Sequence, residues 1–409
     1  MELEQPQNNI NNCKNSIFVL IFYSKFLTKY IFLKIEFNEF FKKKKGKIVN
    51  KNKVVLGMSG GVDSSVAATL LKEMGFEVYG ITLKTWGHLE LVNHDTFELG
   101  CCSLKDARCV ADNIGISHVT KDISSEFENQ IIGNFINEYI NGRTPNPCTV
   151  CNREIKWKYL LDYANSIDAY FVATGHYSII EEVGNKFLLK RSLDKFKDQT
   201  YFLWKLTQED LSRTIFPLAK FTKPEIREIA KKYGIHNASK PDSQEICFVN
   251  DSSYTNFINQ KLIENNIKVE VGDFVYKDKV VGKHKGVHNY TVGQRRGIGI
   301  ALGKPIFVTK IDKELNIVYL GDYEDLLTYE VKANFPNYQT GDLLKENQQV
   351  VAKIRYGDPG TPTEVLISNE NEILLKFKEP KSAVTPGQSL VIYDNNFEYL
   401  LAGGVITLE

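Results

Sequence analysis

The clearest pattern begins just after position 52. Residues 53–57 are a short apolar run of strand type that ends at Gly57. Beyond a Gly- and Ser-rich loop, Val66, Ala67, Leu70 and Leu71 recur at helical spacing within 65–74. Gly75 closes that helix, and 78–83 is the next apolar run. Strand, loop, helix and strand in this order predict a parallel sheet with helices on both faces. The theme continues with 106–114 helical, 118–122 extended and 126–139 helical. Residues 170–174 read as a strand before Gly175, and 224–233 as a short helix with Pro224 in its first turn.

After about position 250 the period changes. Short β-type runs at 274–276, 280–282, 306–311 and 317–320 alternate with Gly and Asp turns. Further runs at 350–355, 364–366 and 372–377 follow, with no long helix among them. The expected class is α/β: a doubly wound parallel-sheet nucleotide-binding domain over 53–258, a small mostly-β central domain over 259–325, and a C-terminal β-barrel over 326–409. No solenoid-type repeat is present.

Composition narrows the class. Of 409 residues, 43% are hydrophobic and 25% charged, which excludes a collagen, a coiled coil or a wholly disordered chain. The net charge of +1 hides an asymmetry. Residues 1–52 hold ten Lys and four Glu, a net +6, so the rest of the chain carries −5. A polyanionic partner must therefore meet local basic patches, not a global field. Residues 1–52 read as a leader outside the folded core. Their apolar stretch at 17–23 is broken by Lys25, Lys29 and Lys34 before it could span a membrane. No small-residue cleavage pattern precedes the Lys block at 42–45, and the first Arg is Arg108, which disfavours organellar targeting. The seven cysteines are odd in number and sparse, as in a reducing compartment. A cytoplasmic protein without membrane attachment is expected.

Two segments carry candidate chemistry. Ser59-Gly-Gly-Val-Asp-Ser64 lies between a strand and a helix. Paired glycines admit a ligand close to the backbone, and the helix N-terminus offers free N–H groups to anionic oxygens. This predicts a pyrophosphate cradle like that of the ATP-pyrophosphatases. It lacks the Gly-Lys-Ser/Thr ending of the common ATPase loop and the glycine spacing of the dinucleotide fingerprint. Asp63 either caps the helix or helps hold Mg²⁺ on the phosphates. The second segment, Thr144-Pro-Asn-Pro-Cys-Thr-Val-Cys-Asn152, sets Cys148 and Cys151 in a Pro-rich turn. Such a pair serves as a metal half-site, a redox dithiol, or a nucleophile with a helper. Cys247 taken alone reads as a small core residue, and Cys101, Cys102 and Cys109 as structural.

Six motifs in order resemble those of the tRNA-specific 2-thiouridylases. They are Gly57-Met-Ser-Gly-Gly-Val-Asp-Ser64, Arg143-Thr-Pro-Asn-Pro147 with Cys151-Asn152, Ala173-Thr-Gly-His-Tyr177, Lys197-Asp-Gln-Thr-Tyr-Phe-Leu203, the segment from Asp242 to Phe248, and Asn289-Tyr-Thr-Val-Gly-Gln-Arg-Arg-Gly297. The resemblance runs from about Lys53 to the C-terminus. It implies an enzyme that uses ATP and Mg²⁺ to adenylate the 2-carbonyl oxygen of the wobble uridine, then replaces that oxygen with sulfur. By the same resemblance Cys247 carries a persulfide and Cys151 is its partner, with a transient Cys151–Cys247 disulfide. A lowered pKa at one of the two thiols is then expected. ATP contacts fall on Gly57, Met58, Ser59, Gly60, Gly61, Val62, Asp63, Ser64, Leu83 and Gly175. Many members carry Asp where this chain has Cys148. With Cys148, Cys151 and Cys247, three thiolates could instead hold a [4Fe–4S] cluster. The other partners implied are tRNA and a sulfur-donor protein or sulfide source, with the free enzyme a monomer.

The family pattern places tRNA contacts at Asn146, Pro147, Cys148, His176, Lys197, Asp198, Gln199, Arg355, Tyr356 and Gln388. Charge alone adds Arg143, Arg153, Lys156 and Lys158 beside the Cys pair, and Arg295 and Arg296 in the β region. Two other classes compete. An amidating ligase would keep the loop but need neither Cys151 nor Cys247. An RNA-binding module would explain the β end and leave 59–64 idle.

Overall fold

Val54, Val55 and Leu56 are fully buried at the centre of a parallel sheet, which their alternation splits between two cores. The computed structural model describes residues 50–85, 100–235, 246–249 and 253–408. Its first sheet contains β1 (Asn50–Gly57), β2 (Glu77–Lys84), β3 (Ser117–Asp122) and β4 (Ala169–Ala173). After a hairpin, β5 (Ser178–Val183) and β6 (Lys186–Arg191), the short β7 (Thr214–Ile215) joins its edge. The order is β3-β2-β1-β4-β7, all parallel. Val54 and Leu56 face the helices Val62–Glu73, Gly100–Ile114 and Lys223–Lys232. Val55 faces Trp157, Leu160 and Ala164 on the opposite side. Helices thus cover both faces, as the sequence pattern predicts.

Residues 254–326 form the helix Tyr254–Glu264 and a four-stranded mixed sheet. Its strands are β8 (Gly272–Tyr276), β9 (Lys279–His284), β10 (Phe307–Asp312) and β11 (Ile317–Gly321), in the order β10-β11-β8-β9. The chain ends in a closed antiparallel barrel of six strands: β12 (Leu327–Tyr338), β13 (Gln349–Lys353), β14 (Thr361–Ser368), β15 (Glu372–Ser382), β16 (Ser389–Tyr393) and β17 (Leu400–Thr407). Closure leaves the barrel without free edges.

The barrel is welded to the first domain. Trp204, buried, donates Nε1–H to Ser389 Oγ at 2.9 Å and packs so closely on Gly403 that no side chain fits there. Tyr201 donates its hydroxyl to Ser389 O at 2.9 Å. Nearer the cysteines, Thr144 N donates to Pro386 O at 2.8 Å, and Gln388 Nε2 donates to Thr144 O at 2.9 Å and Pro145 O at 3.2 Å. Gly387, at φ +90°, presses against the Thr144 backbone. The loop at 385–388 is therefore a brace for the entry to the cysteine segment.

Candidate active site

β1 and β4 are neighbours, and the strand order diverges between them. In such sheets the loops beyond the carboxyl ends of the diverging strands enclose a crevice. The loop after β1 enters it through Gly60, whose φ of +71° suits glycine. Gly61 starts the helix Val62–Glu73 with no side-chain cap, so the first-turn N–H groups stay open to an anion. The serine hydroxyls hold the loop itself: Ser64 Oγ accepts from Ser59 N at 3.2 Å and donates to Gly61 O at 3.1 Å, and Ser65 Oγ donates to Gly61 O at 2.9 Å. Met58 is fastened to β2 through Ile81 O and the Thr82 hydroxyl. Leu83 lies half-buried at the end of the same strand. Gly175, just past β4, abuts the backbone of Asp63 and Ser64, where an added Cβ would stand 3.0 Å from each.

Asp63 does not cap the helix; its carboxylate is held in an ion pair. Its carboxylate accepts from Lys223 Nζ at 2.8 Å on both oxygens and from the Tyr177 hydroxyl at 2.7 Å. Lys223 was not singled out by the sequence, and Tyr177 stood there only as the last residue of the 173–177 motif, without a role. Lys223 opens the helix Lys223–Lys232 behind a Thr222/Glu225 capping box, a signal that marks a helix start and says nothing of an ion pair 160 residues away.

The cysteine pair departs from the expected turn. Pro147–Val150 is the first turn of a helix that continues through a π-helical segment, Cys151–Trp157, to Lys158–Ser166. Pro147 suits the first turn because its missing N–H is not needed there. Cys148 and Cys151, three apart, share one face. The wide π turn brings Lys156, five residues on, back toward Cys151. Cys247 comes from the segment at 246–249, anchored by Phe248 among Phe127, Phe135 and Phe257. The preceding motif residues, 242–245, lie outside the described residues. Cys109, Cys148, Cys151 and Cys247 are free thiols.

The electrostatics reverse one expectation. Burial pushes all three site thiols up, Cys151 to about 11, and neighbouring Cys148 and Cys247 add to the rise at Cys151. The Lys156 ammonium opposes burial at each. No thiol of the site has the lowered pKa that the persulfide scheme implied, because desolvation outweighs one half-buried cation. Lys156 makes no ion pair among the described residues. Its charge also reaches His176, whose imidazole is held down at about 3, chiefly by burial. His176 is thus a neutral ring, hydrogen-bonded to Thr174 Oγ1 at 2.8 Å and packed beside Trp157. Although three thiols share this site, no group of three or more His, Cys, Asp or Glu among the described residues is disposed to hold a metal ion. Cys109, read as structural, is exposed, while the side chains of Cys101 and Cys102 lie outside the described residues.

The RNA candidates divide into framework and surface. Asp198 is buried, accepting from Ser192 N, Thr200 Oγ1 and Arg191. Gln199 exchanges hydrogen bonds with the Tyr177 backbone, and Gln388 is committed to the brace. Arg143 pairs bidentately with Glu138 at 2.7 Å, and Arg153 lies 3.6 Å from Asp210. Asn146 is the N-cap residue of the cysteine helix, close to the Tyr201 hydroxyl. Lys158, Arg295, Arg296 and Arg355 are exposed, and Lys197 is partly so. Tyr356 is 40% exposed and lies against Phe202 at 4.5 Å between ring centres.

Residues 52–251 match the family described as tRNA methyl transferase HUP domain, 260–322 the tRNA methyl transferase PRC-barrel domain, and 329–406 the aminomethyltransferase beta-barrel domain. The tRNA-specific 2-thiouridylase MnmA of Halothermothrix orenii is 47% identical over 359 residues, which cover 87% of this chain and 99% of that protein. The MnmA of Salinibacter ruber is 44% identical over 363 residues, covering 87% and 94%. Among solved structures, the U34-tRNA thiolase NcsA of Methanococcus maripaludis with its [4Fe-4S] cluster aligns at a TM-score of 0.31 and 20% identity, over 53% of this chain and 68% of that one. That likeness is too low to bear on the site. The identity to the thiouridylases, sustained over almost their whole length and joined to the phosphate loop and the shared thiol site, makes the chain a member of the tRNA-specific 2-thiouridylase family, the tRNA-uridine 2-sulfurtransferases.

Proposed function

We propose that this enzyme converts the wobble uridine of tRNA to 2-thiouridine by a persulfide route. ATP, carrying its Mg²⁺, lies with its phosphates on the 59–64 loop. The uridine 2-oxygen attacks the α-phosphorus and pyrophosphate leaves. The terminal sulfur of a Cys247 persulfide then bonds to carbon 2, and AMP departs with the former carbonyl oxygen. The Cys151 thiolate attacks the inner sulfur of Cys247, breaking the persulfide bond and leaving a Cys151–Cys247 disulfide. A thiol reductant then returns two electrons to the disulfide and a sulfur-donor protein passes the outer sulfur of its own persulfide to the Cys247 thiolate, or else sulfide opens the disulfide at Cys247, restoring the persulfide there and freeing the Cys151 thiolate. Cytoplasmic location and a monomeric free enzyme complete the reading. Among the described residues, no helix is long and apolar enough to cross a membrane.

One observation supports this reading: the Lys156 ammonium lies within electrostatic range of the three thiols and of His176, whose neighbour Gly175 abuts the 59–64 loop. Nucleotide and sulfur chemistry would then share one crevice, as adenylation followed by sulfur attack requires. Cys151, the buried member of the three, has its pKa pushed up to about 11, so its deprotonation belongs to the complex with tRNA and ATP. The test incubates the full-length chain with unmodified tRNA, ATP, Mg²⁺ and polysulfide, a sulfane-sulfur donor, under anaerobic conditions, then resolves the tRNA on a mercury-affinity gel. An ATP-dependent retarded band with pyrophosphate release is expected. Pyrophosphate without the band would point to an amidating ligase. A methylated product would give no retarded band either, and would bear out the wording of the domain descriptions.

A further inference from the structure

Phe196 is 97% exposed, more than any other large apolar side chain among the described residues. Its exposure does not come from a loose loop. Asp194 accepts from Phe196 N at 3.2 Å and Lys197 N at 3.3 Å through one carboxylate oxygen, and from Lys223 N at 3.0 Å through the other. The Ser192 hydroxyl donates to Asp194 O at 2.8 Å. Downstream, Asp198 and Gln199 are tied to Ser192 and Tyr177. The segment is thus a built pedestal, and a bare aromatic ring is its tip.

The surroundings state what the ring meets. Lys195 and Lys197 flank it in sequence, while the nearby Arg191 and Lys190 are paired with Asp198, Glu181 and Glu398. Lys197 lies within range of Tyr356, a second exposed ring, which Lys353 also overlies at 5.5 Å. Cations on both shoulders of an exposed aromatic suit a polyanion that also presents flat apolar faces, which is single-stranded nucleic acid. We propose that Phe196 is a stacking platform for an unpaired base of the bound tRNA, with Lys195 and Lys197 on the adjoining phosphates. That base flanks the target, since the target must enter the crevice with the thiols. This inference rests on tRNA being the substrate. It adds a residue that fixes the register of the anticodon loop.

Binding of unmodified tRNA to the full-length chain tests it. Phe196→Ala should weaken affinity roughly five- to thirty-fold, the range expected for loss of one base–aromatic stack. Phe196→Leu should behave like Phe196→Ala, and Phe196→Trp should bind as the unsubstituted chain does. After subtraction of the spectrum of the unsubstituted chain, which has tryptophans at 86, 157 and 204, the Phe196→Trp emission should be quenched by saturating tRNA. The slope of log affinity against log salt should stay the same in Phe196→Ala and fall by about one in Lys195→Ala. Unchanged affinity in Phe196→Ala, full affinity in Phe196→Leu, or unquenched Phe196→Trp emission would overturn the platform while leaving the substrate reading intact. Failure of the unsubstituted chain to bind tRNA would overturn both.

Discussion

Lys223 Nζ lies 2.8 Å from both carboxylate oxygens of Asp63, joining a helix late in the first domain to the 59–64 loop, the site proposed for ATP. The ammonium is nearly buried, at 8% exposure, against 31% for the carboxylate. Phosphate oxygens arriving at the loop would meet a cation already in place. Replacing Lys223 by Met leaves Asp63 with the Tyr177 hydroxyl as its remaining recorded side-chain donor. The expected cost is about 1–3 kcal/mol of stability, read by urea unfolding, with a fall of at least roughly ten-fold in ATP-dependent pyrophosphate release. Release at the unsubstituted rate would dissociate the pair from nucleotide handling.

Gly175 offers a second test of the same crevice. A Cβ there would press on backbone atoms of Asp63 and Ser64 at 3.0 Å, which cannot swing aside as a side-chain tip can. Gly175→Ala should cost about 1–3 kcal/mol and raise the apparent KM for ATP, because the strain falls on the first turn of the phosphate-binding helix. An unaltered KM would mean that the two loops separate when the nucleotide binds.

The pH dependence has a definite sign. Burial holds the His176 pKa near 3, below its unfolded value. Its contribution to stability is fully present above the unfolded histidine pKa, about 6.5. It is lost as pH falls from there toward 3, at up to about 1.4 kcal/mol per pH unit, because the unfolded chain binds the proton first. His118, His284 and His288 are lowered in the same sense. An NMR titration should find the His176 ring neutral at pH 5, and acid unfolding should be shallower in His176→Gln. A ring that titrates near 6.5 would show that water reaches it.

Cysteine substitutions separate the two sulfur schemes. Cys151→Ser and Cys247→Ser should retain pyrophosphate release and lose the mercury-retarded band by a factor of a hundred or more. Cys148→Ser should keep thiolation within about ten-fold, since the persulfide route uses only two thiols. Loss of the band in Cys148→Ser, with persulfide still detectable on Cys247, would overturn the route proposed above.

Much of the frame was legible because it is local. The phosphate loop, the apolar runs of β1 and β2 and the alternation of the C-terminal strands each declare themselves within a few residues. The hairpin of β5 and β6 was equally local, since Gly184-Asn185 marks its turn, and it was passed over. The cysteine helix was hidden by its prolines, which serve a loop or a helix's first turn equally well. Its π segment has no sequence signature. The raised thiol pKa values and the Lys223–Asp63 pair depend on burial and on contacts between distant positions, which no local pattern encodes. Asp198 and Gln199 fall in a motif associated with RNA, yet their side chains organise the pedestal beneath Phe196.

The brace at 385–388 sets an order in time. Chain synthesis yields the phosphate loop first and the cysteine helix next, but Thr144 and Pro145 find their partners only when Pro386 and Gln388 have been made. A chain cut before 385 would lack both partners, and with them the barrel strands against which Tyr201 and Trp204 are buried.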